Sequence, residues 1–220
     1  MAHATTNTGH REKAQSTFQQ GDLSALVASR ICHDLISPMG AIDNGLELLQ
    51  LSQGITGPEF DLIAQSIAQA NTRLRLYRLA FGMVGDEQMI SRNEIDSLLK
   101  ALGASGRHSC RWAGSGHLNR RQSKLVFLLL LCLESALPWG GEIVIGDAPG
   151  GLRLTALSDR MKLDEALWNM VLSQATDEIG DLSAAKVHFA LLAQELRAQE
   201  ASVTMVREAS GLRLHLRCAS

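Results

Sequence analysis

Residues 58–84 read PEFDLIAQSIAQANTRLRLYRLAFGMV. Phe60, Ile63, Ile67, Ala70, Leu74, Tyr77, Phe81 and Val84 recur at steps of three and four, with Asp61, Gln65, Gln69, Arg73, Arg75 and Arg78 between them. That period makes a helix with a narrow apolar stripe, of the kind that packs in bundles at small crossing angles. Upstream, Gln53-Gly54-Ile55-Thr56-Gly57-Pro58 ends one helix and starts the next. Glycine suits a helix stop, and proline suits a first helical position. The pattern before the break is helical as well, so the spacing predicts a hairpin of helices over 22–52 and 58–84. Two helices bury such stripes poorly, and the economical remedy is a homodimeric four-helix bundle. The competing arrangement packs the hairpin only on the rest of its own chain.

After Gly85-Asp86 the texture changes to short mixed elements. We read a helix over 93–102, a strand over 108–112 and a helix over 122–137. A strand pair follows, 142–145 and 152–157, joined by Asp147-Ala148-Pro149-Gly150-Gly151 with its strong turn chemistry. Helical stretches over 163–172 and 183–199 precede a closing pair, 202–206 and 212–218, turned at Ala209-Ser210-Gly211. The expected fold is α+β: a helical hairpin followed by a two-layer α/β sandwich with an antiparallel-capable sheet. Three segments are expected: a disordered polar leader over 1–20, the hairpin over 21–85 and the sandwich over 86–220.

Composition narrows the function. The chain has 220 residues, 45% hydrophobic and 20% charged, with a formal charge of −2, so no broad basic face awaits nucleic acid. Aromatic residues are only 4%, thin for stacking bases. The longest apolar run is 125–133, against the roughly 20 residues a membrane span needs, and Arg120, Arg121, Lys124 and Glu134 flank it. It reads as a buried core helix. With no signal-peptide pattern at the start, the expectation is a cytoplasmic protein without membrane or nucleic-acid partners. Cys32, Cys110, Cys132 and Cys218 form no CxxC pair, and His108 with Cys110 gives only two candidate ligands, so no metal site is expected.

His33 stands out. On a wheel at 100° per residue, Ile31, Leu35, Ile42 and Leu49 cluster within about 20° of the side opposite His33, flanked by Val27 and Leu46. The imidazole face instead carries Arg30, Ser37, Gly40 and Asn44. Such low relief lets another protein approach the ring, which makes Gly40 and Asn44 candidate partner contacts. A neutral imidazole near its unperturbed pKa is nucleophilic at neutral pH and forms a reactive phosphoryl intermediate. Arg30 is placed to stabilise charge on a moving phosphoryl group, and Asp34, 100° away, to orient the ring or hold its proton. Pro38 removes a backbone donor and crowds the carbonyl of Asp34, so a kink is expected just past the histidine. Alone, an exposed helical histidine is usually a bland surface residue.

The string Arg30-Ile31-Cys32-His33-Asp34-Leu35-Ile36-Ser37-Pro38 resembles the H-box of histidine-kinase dimerisation domains, a histidine followed by an acid with a proline five residues on. The whole chain, from about 21 to 218, resembles the ChpT-type histidine phosphotransferases of bacterial cell-cycle phosphorelays. That resemblance implies a degenerate kinase ATP-binding-like domain behind the hairpin and phosphotransferase activity at His33. It also implies a hybrid histidine kinase receiver as donor and response regulators, a CtrA-like regulator among them, as acceptors.

Compared with an active kinase, three nucleotide-binding pieces are missing. The positions of the cation-holding asparagines align with Leu128 and Cys132, and apolar groups do not hold a hard cation. The adenine loop appears as Asp159-Arg160-Met161-Lys162-Leu163 without its glycines, and the second glycine loop as Ala184-Ala185-Lys186-Val187-His188. Without glycine the backbone does not approach phosphates in the usual way. The expectation is no cofactor bound by this chain, with any Mg2+ supplied by the receiver partner. Gly114-Ser115-Gly116 and Gly140-Gly141 read as turns, not as a dinucleotide loop. The rival readings are a non-catalytic dimeric adaptor for receivers, a divergent ATP-dependent histidine kinase, or an unrelated α/β binding module.

Overall fold

A computed structural model describes residues 28, 35–36, 39–51, 57–82, 89–175 and 182–218. Helical residues 39–51 (α1) are followed by α2 (Pro58–Phe81), which opens on Gly57 and Pro58 with Glu59 and Asp61 in its first turn. Acidic groups there complement the helix dipole. The remainder runs β1 (Met89–Ile90), α3 (Arg92–Ser105), β2 (His108–Trp112), β3 (Leu118–Asn119) and α4 (Arg120–Ala136), then β4 (Gly141–Ala148) and β5 (Gly151–Leu157). It closes with α5 (Glu165–Ser173), a 3-10 turn at Ala184–Lys186, α6 (Val187–Ala198), β6 (Ser202–Glu208) and β7 (Gly211–Arg217).

The five-stranded sheet has the order β2-β4-β5-β7-β6. Two of its antiparallel pairs follow tight turns, with Ala148 opposite Gly151 and Glu208 opposite Gly211, and a third, β5–β7, joins the two hairpins. Gly150 sits at φ 74°, a left-handed conformation that suits the position after Pro149 in a tight turn. The pair β2–β4 is parallel, because α4 carries the chain between them. The strands alternate: Ile143, Ile145, Leu152, Leu154, Ala156, Leu212, Leu214 and Leu216 are buried, while Arg153, Thr155, Arg213 and His215 occupy the other face. One face is thus covered by helices, giving the expected two layers. All nine residues of 125–133 are buried, so α4 is a core helix apolar all round.

From residue 57 on, the helices and strands read from the sequence are present, with ends shifted by a few residues; of the first hairpin helix only 28, 35–36 and 39–51 are described, and the leader over 1–20 lies outside the described residues. Two-residue strands β1 and β3, paired antiparallel, were not expected; two residues are too few to show a period. Nor was the parallel pair, and the start of the stretch at 183–199 is a 3-10 turn.

The helix α2 departs from its simple stripe. Its buried residues are Ile67, Leu76 and Ala80, and the last two lie more than about 100° from the mean direction of the stripe. Leu76 and Ala80 join the same core cluster as α4, whereas Ile63 on the stripe is 50% exposed. The C-terminal half of α2 therefore commits Leu76 and Ala80 to the sandwich, while the stripe on the other side is left exposed at Ile63 and Tyr77.

Two polar ties hold that half in place. The buried Arg120 guanidinium donates to the carbonyls of Leu79 and Arg78 at 2.7 Å each, in the last turn of α2 where carbonyls run short of helical partners, and the Arg78 carbonyl also accepts from the Gly82 N–H at 3.1 Å. Arg73 donates to Glu134 of α4 at 2.7 Å across the same seam. Asn119 and Gln122 form a reciprocal capping box that fixes the start of α4, and with it Arg120. Replacing Arg120 by methionine keeps much of the packing volume but takes a charged donor from both carbonyls, leaving Arg78 only the Gly82 N–H. The expected loss is ~2–4 kcal/mol, read as a lower urea midpoint at unchanged slope.

Candidate functional site

Of the residues singled out around the histidine, Arg30, His33, Asp34, Ser37 and the kink-forming Pro38 lie outside the described residues. Gly40 and Asn44 are helical, in α1. A Cβ added at Gly40 would meet nothing within 4 Å, and Asn44 is exposed, so this part of the helix surface is open and of low relief. The apolar side chains of the hairpin are uncovered too. Leu35, Ile42, Leu48, Leu49 and Leu51 on the first helix, and Leu62, Ile63 and Tyr77 on the second, are all exposed in the single chain. A side-chain contact links the two helices where Asn71 Nδ2 approaches Asp43 Oδ2 at 3.4 Å.

Of the three arginines that fall between the stripe residues of α2, Arg75 and Arg78 are exposed, while Arg73 is half-buried against Glu134. Arg73 borders a cleft of about 570 Å3 between α2, the C-terminal end of α4 and the residues ahead of α6. Tyr77 and Phe81, stacked at 5.5 Å between centroids, form its α2 wall, and Arg107 and His188 face them.

The aligned positions of a nucleotide pocket do not come together. Leu128 and Cys132 are both 0% exposed and lie inside the core rather than on any cleft wall; the groups α4 turns to the cleft are Leu131, Glu134 and Ser135. Asp159 borders a separate hollow beside Trp139 and Arg160, and Ala184 and Ala185 border the cleft instead. The aligned adenine loop and the aligned second glycine loop thus border different hollows, and Leu128 and Cys132 border neither.

The described cysteines are poor nucleophiles. Burial pushes the Cys110 thiol up to about 12 and Cys132 well above the ordinary thiol range. Among the described residues no group of three His, Cys, Asp or Glu side chains is arranged to hold a metal, and no helix is long and apolar enough to cross a membrane. His108 spends its ring on the Leu137 carbonyl at 2.6 Å, and His215 meets the Pro149 carbonyl at 3.1 Å.

His188 is buried, with Nε2 3.1 Å from the Ser135 hydroxyl, and burial lowers its pKa to about 4. The fold therefore favours the neutral ring. Between the ordinary value of 6.5 and about 4 the unfolded chain takes up a proton that the folded chain refuses. The contribution of His188 to stability is present above pH 6.5 and is lost as the pH falls toward 4. A His188→Leu variant should show a shallower decline of melting temperature across that window than the wild type does.

The family model for the histidine phosphotransferase C-terminal domain matches residues 92–211, more than half of the chain. The chain belongs to the histidine phosphotransferase family. It is 29% identical over 198 residues to the protein phosphotransferase ChpT of Brucella abortus (strain 2308), covering 87% of this chain and 94% of that protein. A solved bacterial phosphotransferase superposes with a TM-score of 0.63 at 25% identity, over 89% of this chain and 96% of the other. The family match begins at the N-terminus of α3, so the sandwich carries it, while both pairwise relatives extend over most of the chain. Phosphotransfer is the activity that the names of this family and of its ChpT relative carry.

Proposed function

We propose that this phosphotransferase shuttles a phosphoryl group through His33, from the phospho-aspartate of a hybrid kinase receiver to the aspartate of a response regulator such as a CtrA-like regulator. The observation that carries this reading is the string Arg30–Pro38, which the sequence pattern assigns to the first helix of a hairpin, in a chain of this family. In the first half-reaction the imidazole nitrogen attacks phosphorus, an N–P bond forms, and the acyl-phosphate P–O bond breaks to release the donor carboxylate. The second half-reaction reverses these roles, so no ATP is consumed. Arg30 steadies the charge on the moving group, Asp34 orients the imidazole, and Ser37, Gly40 and Asn44 leave room for the incoming domain. Mg2+ belongs to the receiver, whose carboxylates are suitably hard ligands.

The working unit in this proposal is a homodimer. The apolar side chains left uncovered along both hairpin helices are what a four-helix bundle buries. The two nucleotide half-sites that face different hollows, and the absence of oxygen ligands at Leu128 and Cys132, support a transferase that takes its phosphate from protein rather than from nucleotide. The test is transfer from a purified, phosphorylated receiver domain to wild type and His33→Ala, with ATP–Mg2+ alone as a separate arm. Receiver binding that persists without label on either protein would favour an adaptor, and label from ATP alone would favour a kinase.

A further inference from the structure

Trp139 is 54% exposed, while Trp112 and Trp168 are buried in the core. An indole left in water usually marks a loose loop or a contact surface, and this one is not on a loose loop. The corner 137–141 is tied down from every side. Gly140 N–H donates to the Leu137 carbonyl at 3.0 Å, Arg107 donates to the Pro138 carbonyl at 3.1 Å, and the Ser158 hydroxyl approaches the Gly140 and Arg160 carbonyls at 3.0 and 2.9 Å. Lys162 N–H adds a bond to the Ala136 carbonyl at 2.9 Å. Gly140 sits at φ 98°, where a Cβ would fall 2.6 Å from the Arg107 carbonyl, so the turn accepts no larger residue without shifting. The fold thus spends many bonds on presenting one exposed indole.

Its surroundings define what it fits. The Arg160 guanidinium lies over the Trp139 ring, 4.3 Å from the centroid. Arg107 and Lys162 are exposed on the same corner, and Asp159 is the nearby acid, an excess of positive charge around an apolar plate. A hollow of about 540 Å3 opens beside it, floored by Gly140, Gly141 and Leu157. The corner is also continuous with the hairpin: Pro138 and Arg107 line the cleft whose other wall is Tyr77 and Phe81 of α2. A partner seated on the hairpin that reaches across this cleft arrives at Trp139.

We infer that Trp139 and Arg160 form an anchor for the acidic face of a receiver domain, a second contact apart from the phosphoacceptor helix. This rests on the phosphotransfer reading for the identity of the partner. Rigid aromatic and arginine side chains carry a large share of interface energy because little entropy is lost when they are covered. Charge on Arg160 and Arg107 steers an acidic face toward them.

The decisive measurement is binding of a purified hybrid-kinase receiver domain by titration calorimetry in the His33→Ala background, where transfer chemistry plays no part. Adding Trp139→Ala should weaken binding at least tenfold, and Arg160→Glu should do so with a steeper effect at low salt. Lys100→Glu, on the exposed side of α3, serves as the control and should change binding less than twofold. In wild-type background, Trp139→Ala should raise the receiver concentration at half-maximal transfer and leave the rate at saturation within twofold. Because Trp139 is largely exposed, its variants are expected to melt within a few degrees of the parent, and Trp139→Phe should recover part of the affinity. Unchanged affinity for Trp139→Ala overturns the anchor while leaving phosphotransfer intact. Failure of every receiver to bind the parent overturns the anchor, and loss of label on wild type in the transfer assay overturns the reading beneath it.

Discussion

A His33→Ala chain is expected to take no phosphoryl label from a phosphorylated receiver, a fall of at least ~10³-fold, because covalent catalysis leaves little once its nucleophile is gone. Label on the wild type should be acid-labile and alkali-stable, the signature of an N–P bond. The size of the effect depends on whether another group substitutes for His33, and the described residues offer none. His108 and His215 are bonded to backbone carbonyls, and the His117 ring accepts from the Arg92 amide at 3.2 Å. His188 is buried behind Ser135. Cys110, pushed up to about 12, has almost no thiolate at neutral pH, and burial pushes Cys132 and Cys218 up as well. His33→Gln should match His33→Ala, since an amide offers hydrogen bonds but no nucleophilic nitrogen. Residual transfer above a hundredth of the wild-type rate would place the acceptor elsewhere and would sink the assignment.

How much of this was legible from sequence depends on how the residues report their surroundings. Elements with an interrupted pattern were readable. Alternation in 152–157 and 212–218 marked two strands with one wet face, and the glycine-bearing turns joined them to their partners. The residues of α2 were readable as helix but not as to which side is buried. Its stripe from Phe60 to Phe81 is real, yet Leu76 and Ala80 on another side meet α4, and a count of apolar steps records the longer row. The anchor at Trp139 was silent because one aromatic in a turn belongs to no period. Arg120 was read as a flanking charge at the end of an apolar run. Its role as a cap for α2 is visible only once the fold brings it to Arg78 and Leu79, 42 and 41 positions away. For the acceptor site the signal was local and chemical, a nine-residue string whose meaning does not depend on long-range contacts.

The same reasoning explains the one alignment that folding redraws, and it yields a second large effect. Leu128 and Cys132 align with asparagines that hold Mg2+ in kinases, so Leu128→Asn looks on paper like the restoration of a ligand. In the fold it is a polar amide placed at a fully buried position among Leu125 to Leu133. Nothing in a run apolar on every side reveals the rotation of α4 about its axis, so the burial of these two positions is not legible from the sequence. The substitution removes a buried isobutyl group, worth ~2–3 kcal/mol in transfer and packing, and adds an amide with no partner at ~1–3 kcal/mol. The expected total is ~3–6 kcal/mol, a large part of the stability of an ordinary domain and enough to lower the melting temperature by roughly 10 °C or more. Millimolar ATP–Mg2+ should recover none of that loss, because a ligand stabilises only a fold that offers it a site. A mild variant whose melting temperature rises with ATP–Mg2+ would mean that α4 turns residue 128 toward a nucleotide after all, and the account of a phosphotransferase without a nucleotide site would have to be abandoned.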